Sequence, residues 1–123
     1  MTRLILIFFT FFLISCKKDN YLTCEGVEYI GELSYKNGKL YTGTCVTHHK
    51  NLSIRSIQNY LDGKDHGKWE FFHDNGVPET VGSFEKGKKI GVWKYFSREN
   101  KLRATAVYDN NGKILSLDKT EFY

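Results

Sequence analysis

Beyond residue 25, apolar and polar residues alternate in short runs with the two-residue period of β-strands. Val27, Tyr29, Gly31, Leu33 and Tyr35 fall on one side and Glu28, Glu32 and Ser34 on the other, with only Ile30 breaking the alternation. Lys68 and Glu70 likewise separate Trp69 from Phe71, and no segment after residue 16 keeps a helical period. Turn signals punctuate these runs at Asp62-Gly63, Asn75-Gly76, Lys86-Gly87, Glu99-Asn100 and Asn111-Gly112. Asn-Gly and Asp-Gly supply the positive φ angles that tight hairpins require. Pro78, the one proline of the chain, falls just after a turn, where a strand tolerates it. The pattern predicts an all-β protein, an antiparallel meander of stacked β-hairpins.

A second regularity is longer. Tyr60, Gly63, Gly67, Trp69 and Phe72 recur as Phe84, Gly87, Gly91, Trp93 and Phe96, each displaced by 24 residues with no gap. The phase runs on to Tyr108, after which Asn110, Asn111 and Gly112 form the next turn one residue late. A divergent earlier copy surrounds Tyr35, Asn37, Gly38, Lys39 and Gly43. Hairpins repeated at a fixed period bury a continuous core that no single copy supplies. Gly82 and Ala106 occupy equivalent places in the return strands, where a small residue leaves room for the large ring of Trp69 or Trp93.

These residues resemble the MORN-repeat variant family, whose copies read as an aromatic, a Gly-Lys turn, a second Gly, a Trp, two aromatics and an Asn-Gly. Tyr60, Gly63-Lys64, Gly67, Trp69, Phe71-Phe72 and Asn75-Gly76 follow that pattern in order. The second copy departs from it at Asn100, which stands for the expected Gly, and the first copy has Cys45 at the Trp position. The resemblance covers residues 31–115. It implies a repeat sheet used for scaffolding and binding, and some bacterial members carry a YwqK-type antitoxin label without a shared mechanism.

The first residues follow a different grammar. Arg3 precedes an apolar run from Leu4 to Ile14 interrupted only by Thr10, which is the layout of a secretory signal peptide. The run is shorter than the ~20 residues needed to cross a bilayer. Leu13, Ile14, Ser15 and Cys16 resemble a lipobox, in which the cysteine is acylated and becomes the new N-terminus. Residues 1–15 are therefore read as a lipoprotein signal peptide, 16–25 as the lipidated N-terminus and tether, and 26–123 as the repeat domain. Lys17, Lys18 and Asp19 read either as a sorting signal or as part of a solvated tether. The expected location is the bacterial cell envelope, with the domain held at a membrane surface by palmitate or a related acyl group on Cys16.

Three cysteines are present. With Cys16 lipidated, Cys24 and Cys45 remain as an even pair in an oxidising compartment and are expected to form a disulfide, the alternative being two buried free thiols. A loop of that size contributes roughly 3–4 kcal/mol in the chain-entropy model. Lys and Arg number 18 against 14 Asp and Glu, for a net charge of +4, and loss of Arg3 lowers it to +3. That is too weakly basic for a nucleic-acid partner.

No candidate set for catalysis emerges, and neither a cofactor nor a metal is expected. His48 and His49 alternate faces on a strand, and His66 and His73 lie in or beside turns, so all four read as solvated rather than as ligands. The glycines belong to hairpin turns, not to a phosphate-cradling loop. Lys64, Lys68, Lys86, Lys88 and Lys89 gather at turns along one sheet edge, either as a stripe for anionic lipid or an acidic partner, or as a solvated edge. Trp69 and Trp93 read as core, with an exposed glycan-stacking platform as the alternative. The leading expectation is a non-catalytic, membrane-anchored interaction module with a protein partner; the alternatives are an antitoxin or immunity protein acting outside the cytoplasm, and a lipid- or cell-wall-glycan-binding module. Metabolic labelling with a palmitate analogue is expected to mark the chain and to be lost on Cys16→Ser; label that survives the exchange overturns the anchor assignment.

Overall fold

The computed structural model describes residues 22–120. The signal peptide and Cys16 lie outside the described residues. Twelve strands follow in order: β1 (Leu22–Thr23), β2 (Val27–Ile30), β3 (Leu33–Lys36), β4 (Lys39–Leu40), β5 (Gly43–His48), β6 (Ile54–Leu61), β7 (Lys64–Asp65), β8 (Gly67–Phe72), β9 (Pro78–Glu85), β10 (Lys88–Phe96), β11 (Leu102–Tyr108) and β12 (Ile114–Lys119). From β5 to β12 the chain runs as an antiparallel meander in the order β5-β6-β8-β9-β10-β11-β12, with the short β7 also paired to β6. The strands β2, β3 and β4 form a separate three-stranded antiparallel sheet.

Two features depart from the sequence reading. The alternation over 27–35 is not one strand, because the chain reverses at Gly31-Glu32 and makes a hairpin of β2 and β3. Ser34, on the polar side of the expected strand, is consequently buried, whereas Tyr29 is exposed. The fold also begins inside the expected tether. Leu22 and Thr23 add in parallel to β5 opposite Cys45 and Val46, and a disulfide joins Cys24 to Cys45. The disulfide and the Cys24 N–H bond to the Val46 carbonyl hold β1 against β5, in a parallel pairing where the rest of the larger sheet is antiparallel.

The meander's turns fall in two kinds. Asn37-Gly38, Asp62-Gly63 and Lys86-Gly87 have positive φ at both central residues, the geometry that matches the twist of two strands joined by a two-residue turn. The second kind occupies the other end at His49, His73 and Ser97, and returns beside Lys86-Gly87 at Asp109; each of these four residues accepts from the N–H three residues on and donates to the carbonyl four residues on. Leu52, Gly76, Asn100 and Gly112 take positive φ in those loops. Asn substitutes for Gly at residue 100 without altering the turn, since its φ of 60° lies in the left-handed region Asn tolerates.

Aromatic rings from successive strands pack into a ladder on one face. Centroids are 5.4 Å apart for Tyr41 and Tyr60, 5.3 Å for Tyr60 and Trp69, 5.0 Å for Trp69 and Phe84 and 5.0 Å for Phe84 and Trp93. The last three pairs meet edge to face, the arrangement that sets a positive ring edge on a negative ring face. The ladder ends on cations, with Lys36 5.8 Å from the Tyr41 centroid and Lys89 4.5 Å from Trp93 and 5.7 Å from Tyr108.

Gly67 and Gly91 explain how the tryptophans are seated. Each has positive φ, 73° and 64°, and distorts its strand two residues before the indole. In the first case the Asn59 carbonyl receives the His66 N–H at 3.0 Å and the Trp69 indole N–H at 2.8 Å. In the second the Trp93 indole donates to the Ser83 carbonyl at 3.2 Å. A buried indole N–H left unpaired would cost about 1–3 kcal/mol, so this bond lets the ring be buried whole. Trp69 and Trp93 retain 6% and 2% of their exposure, and neither is free to stack on a sugar.

The return strand supplies the missing space. A Cβ at Gly82 would stand 2.1 Å from Cδ2 of Trp93, and Gly82 pairs directly with Trp69 in the β8–β9 ladder. Ala106 is opposite Trp93 and is itself buried. Gly82→Ala is therefore expected to displace the Trp93 ring and destabilise the fold by about 1–3 kcal/mol. Urea unfolding followed by tryptophan emission measures this; a neutral outcome would mean that the ring has room elsewhere.

Candidate functional site

The turn end of the meander carries a cleft of about 850 Å³, lined by Tyr29, Ile30, Gly31, Glu32 and Leu33 on one wall and by Lys64, Asp65, Lys86, Gly87 and Lys88 on the other. Hydrogen bonds of the main chain fix both walls. The Gly87 N–H donates to the Asp65 carbonyl at 2.9 Å, so the turns after β6 and β9 are tied side by side and bring Lys64, Lys86 and Lys88 into one patch. Ser34 N–H donates to the Gly63 carbonyl at 2.7 Å, Gly63 N–H to Tyr41 at 2.8 Å, and Tyr41 N–H to Ser34 at 2.9 Å. This closed set pins the β2–β3 hairpin to the Asp62-Gly63 turn, which is why Ser34 can be buried without orphaning its backbone.

Side chains reinforce the pinned wall. Tyr60 donates to Gln58 Oε1 at 2.7 Å and its oxygen shares a hydrogen bond with Tyr29. Burial first, then the bond to Tyr29, pushes the Tyr60 hydroxyl far above the usual phenol range, so it remains a donor at every physiological pH. Tyr29 is thereby tied to the aromatic ladder while 61% of its surface stays exposed, as does 61% of Ile30.

Of the five lysines expected to share this edge, three line the cleft and two do not. Lys68 lies on β8 and pairs with Glu70 at 2.7 Å. Lys89 pairs with Phe84 across the β9–β10 ladder and turns onto the ring face, where it caps Trp93. One residue of strand register separates it from Lys88, and that step reverses the face. Among the described residues Lys64, Lys86 and Lys88 have no ion pair. A second recess of about 470 Å³ adjoins the first and is lined by Glu85, Lys86, Lys88, Asn110 and Asn111.

The histidines are not simply solvated. The ring Nε2 of His49 bonds the Phe72 carbonyl at 2.8 Å and that of His73 bonds the Phe96 carbonyl at 3.0 Å, linking each turn to the next. Asn51 and Asn75 do the same to the carbonyls of Asp74 and Arg98. His49 and His73 are 24 residues apart, as are Asn51 and Asn75. The repeat spacing is the signal that marks them, whereas His66 at another phase has a buried Nδ1 without a partner among the described residues. Arg98, 2.6 Å from Asp74, holds that carboxyl below the usual range. No group of three His, Cys, Asp or Glu among the described residues is placed to hold a metal ion.

The hairpin wall is the part of the site that the alternation concealed. Ile30, the single residue out of phase, together with the adjoining Gly31, is the mark of the reversal. No family model and no curated protein matches the chain. Among solved structures, the chain is similar to one from the crystal structure of accessory secretory proteins 1, 2 and 3 of Streptococcus pneumoniae, at 18% identity and a TM-score of 0.40. The match covers 80% of this chain and 21% of the other.

Asp65 supplies a pH-dependent observable at the cleft. Burial raises its pKa, and no cation is among the causes of the shift. A carboxyl whose folded pKa exceeds its unfolded value contributes stability below the unfolded pKa and loses it as pH rises through the folded pKa. Asp65→Asn is accordingly expected to raise Tm at neutral pH, with the gain vanishing by about pH 3. Melting curves at the two pH values decide it; a lower Tm at neutral pH would mean that the carboxylate is held by a favourable partner.

Proposed function

We propose that this protein is a non-catalytic interaction module of the bacterial cell envelope, anchored through Cys16 and binding a protein partner at the cleft between the β2–β3 hairpin and the lysine-bearing turns. The observation that carries the reading is the cleft itself. Two large side chains, Tyr29 and Ile30, stand exposed beside three lysines without ion pairs, on walls held rigid by main-chain bonds. An exposed apolar patch with a charged border on a preorganised frame is what recognition requires, because little entropy is lost when the partner docks. The aromatic ladder, the alternating pattern and the 24-residue spacing support placing the chain beside the MORN-repeat variant family, whose copies serve scaffolding and binding. The lipobox-like Leu13-Ile14-Ser15-Cys16 and the Cys24–Cys45 disulfide, a bond that persists in oxidising compartments, support the envelope location.

A photo-crosslinking residue placed at Ile30 or Lys88 of the full chain in intact cells is expected to yield a discrete protein adduct, whereas the same group at the exposed Lys94 yields none. Adducts from Lys94 alone, or equal adducts from all three positions, would remove the cleft from this role.

A further inference from the structure

We infer that the cleft and the recess beside it together accept an extended acidic peptide segment that also carries an apolar side chain. The inference rests on the proposed binding role of the cleft and names the chemistry of what binds there. Lys86 and Lys88 line both hollows, so the two lie side by side along the turn edge. Lys64 stands on the neighbouring turn, held beside them by the Asp65 to Gly87 bond. The ammonium groups therefore border a channel that crosses several strands, and such a channel suits a linear anionic chain better than a compact ion.

Charge within the channel favours a peptide over a membrane surface. Glu32 and Asp65 line the larger hollow and Glu85 the smaller one. A plane of anionic headgroups would meet these carboxylates together with the lysines and would be repelled by them. A peptide can set its acids against Lys64, Lys86 and Lys88 and leave neutral residues against the carboxylates, and discrimination of this kind needs both attraction and repulsion. The three carboxylates equal the three lysines in number, and none is paired with them among the described residues, so the recognition rests on how the charges are spaced and not on a net positive charge. On the hairpin wall, Tyr29 and Ile30 are exposed apolar surface at the channel's side, which an aromatic or aliphatic residue of the same peptide would cover.

The test is fluorescence anisotropy on the full chain in detergent, with a labelled peptide of alternating glutamate and serine around one central leucine as the probe. Saturable binding that weakens as salt rises is expected. The triple exchange Lys64→Glu, Lys86→Glu and Lys88→Glu should weaken it by about tenfold or more. The triple exchange Lys94→Glu, Lys113→Glu and Lys119→Glu, which changes net charge equally but lies outside the channel, should leave it within about twofold. Glu32→Lys should tighten binding, a gain that misfolding cannot imitate. Equal loss in both triple variants would overturn the inference, as would phosphatidylglycerol vesicles binding through the three cleft lysines while the peptide does not. Cleft crosslinks that persist in cells without peptide binding would leave the interaction role standing and remove the acidic class; loss of both would remove the two together.

Discussion

The bond between each tryptophan indole and a main-chain carbonyl is the constraint from which the rest of the sheet follows. The meander has one apolar face, and among the described residues only its first end is covered, where Val27 of β2 packs against the cluster of Tyr41, Cys45, Tyr60 and Trp69. The rings must therefore lie along the sheet and shelter one another, and an indole lying flat keeps an N–H that needs a partner. The positive-φ glycine two residues earlier opens the ladder so that the Asn59 and Ser83 carbonyls face the rings. Each seated indole removes on the order of 200 Å² from water, an upper bound of roughly 5 kcal/mol. That bound is of the same order as the roughly 3–4 kcal/mol of the one disulfide, but the ladder holds two indoles together with Tyr41, Tyr60 and Phe84.

The disulfide matters where the ladder stops. In the earliest copy Cys45 stands where Trp69 and Trp93 stand in the later ones, fully buried and bonded to Cys24. Tyr41 packs on Tyr60 in place of an indole, and Lys36 closes the row. At the opposite end Ala106 leaves space for Trp93 and Lys89 covers its ring, while β12 has no ring to offer and is exposed along its length. Its Asp118 and Lys119, with Lys113 just before it, put charge on the last edge, which discourages another strand from adding there.

Sequence alone carried the strand pattern, the spacing of 24 and the pairing of Cys24 with Cys45, because each depends on local chemistry repeated in register. It also carried the need for a small residue at positions 82 and 106. What escaped it were contacts that depend on a reversal or on a neighbouring copy. The β2–β3 hairpin was hidden because Gly31 and Glu32 extend an alternation that a turn of two residues does not interrupt. Lys88 and Lys89 adjoin one turn and look alike in sequence, although the strand sends them to opposite faces. The immediate surroundings of His49 and His73 point to solvent, whereas their partners are carbonyls 23 residues further along.

The same regularity explains why the candidate site occurs where it does. If every copy were identical, the edge would present equal grooves between successive turns, and nothing would favour one of them. Here the divergent first copy breaks the series, since β2, β3 and β4 leave the main sheet and fold back over the Asp62-Gly63 turn. Among the described residues, only at that junction do exposed Tyr29 and Ile30 of a hairpin face lysines from the regular copies. The next groove has Asn110 and Asn111 in place of a hairpin wall, and its hollow is smaller. The defect in the repeat thus sets the candidate cleft apart from the other grooves, while main-chain bonds to the regular copies hold its two walls.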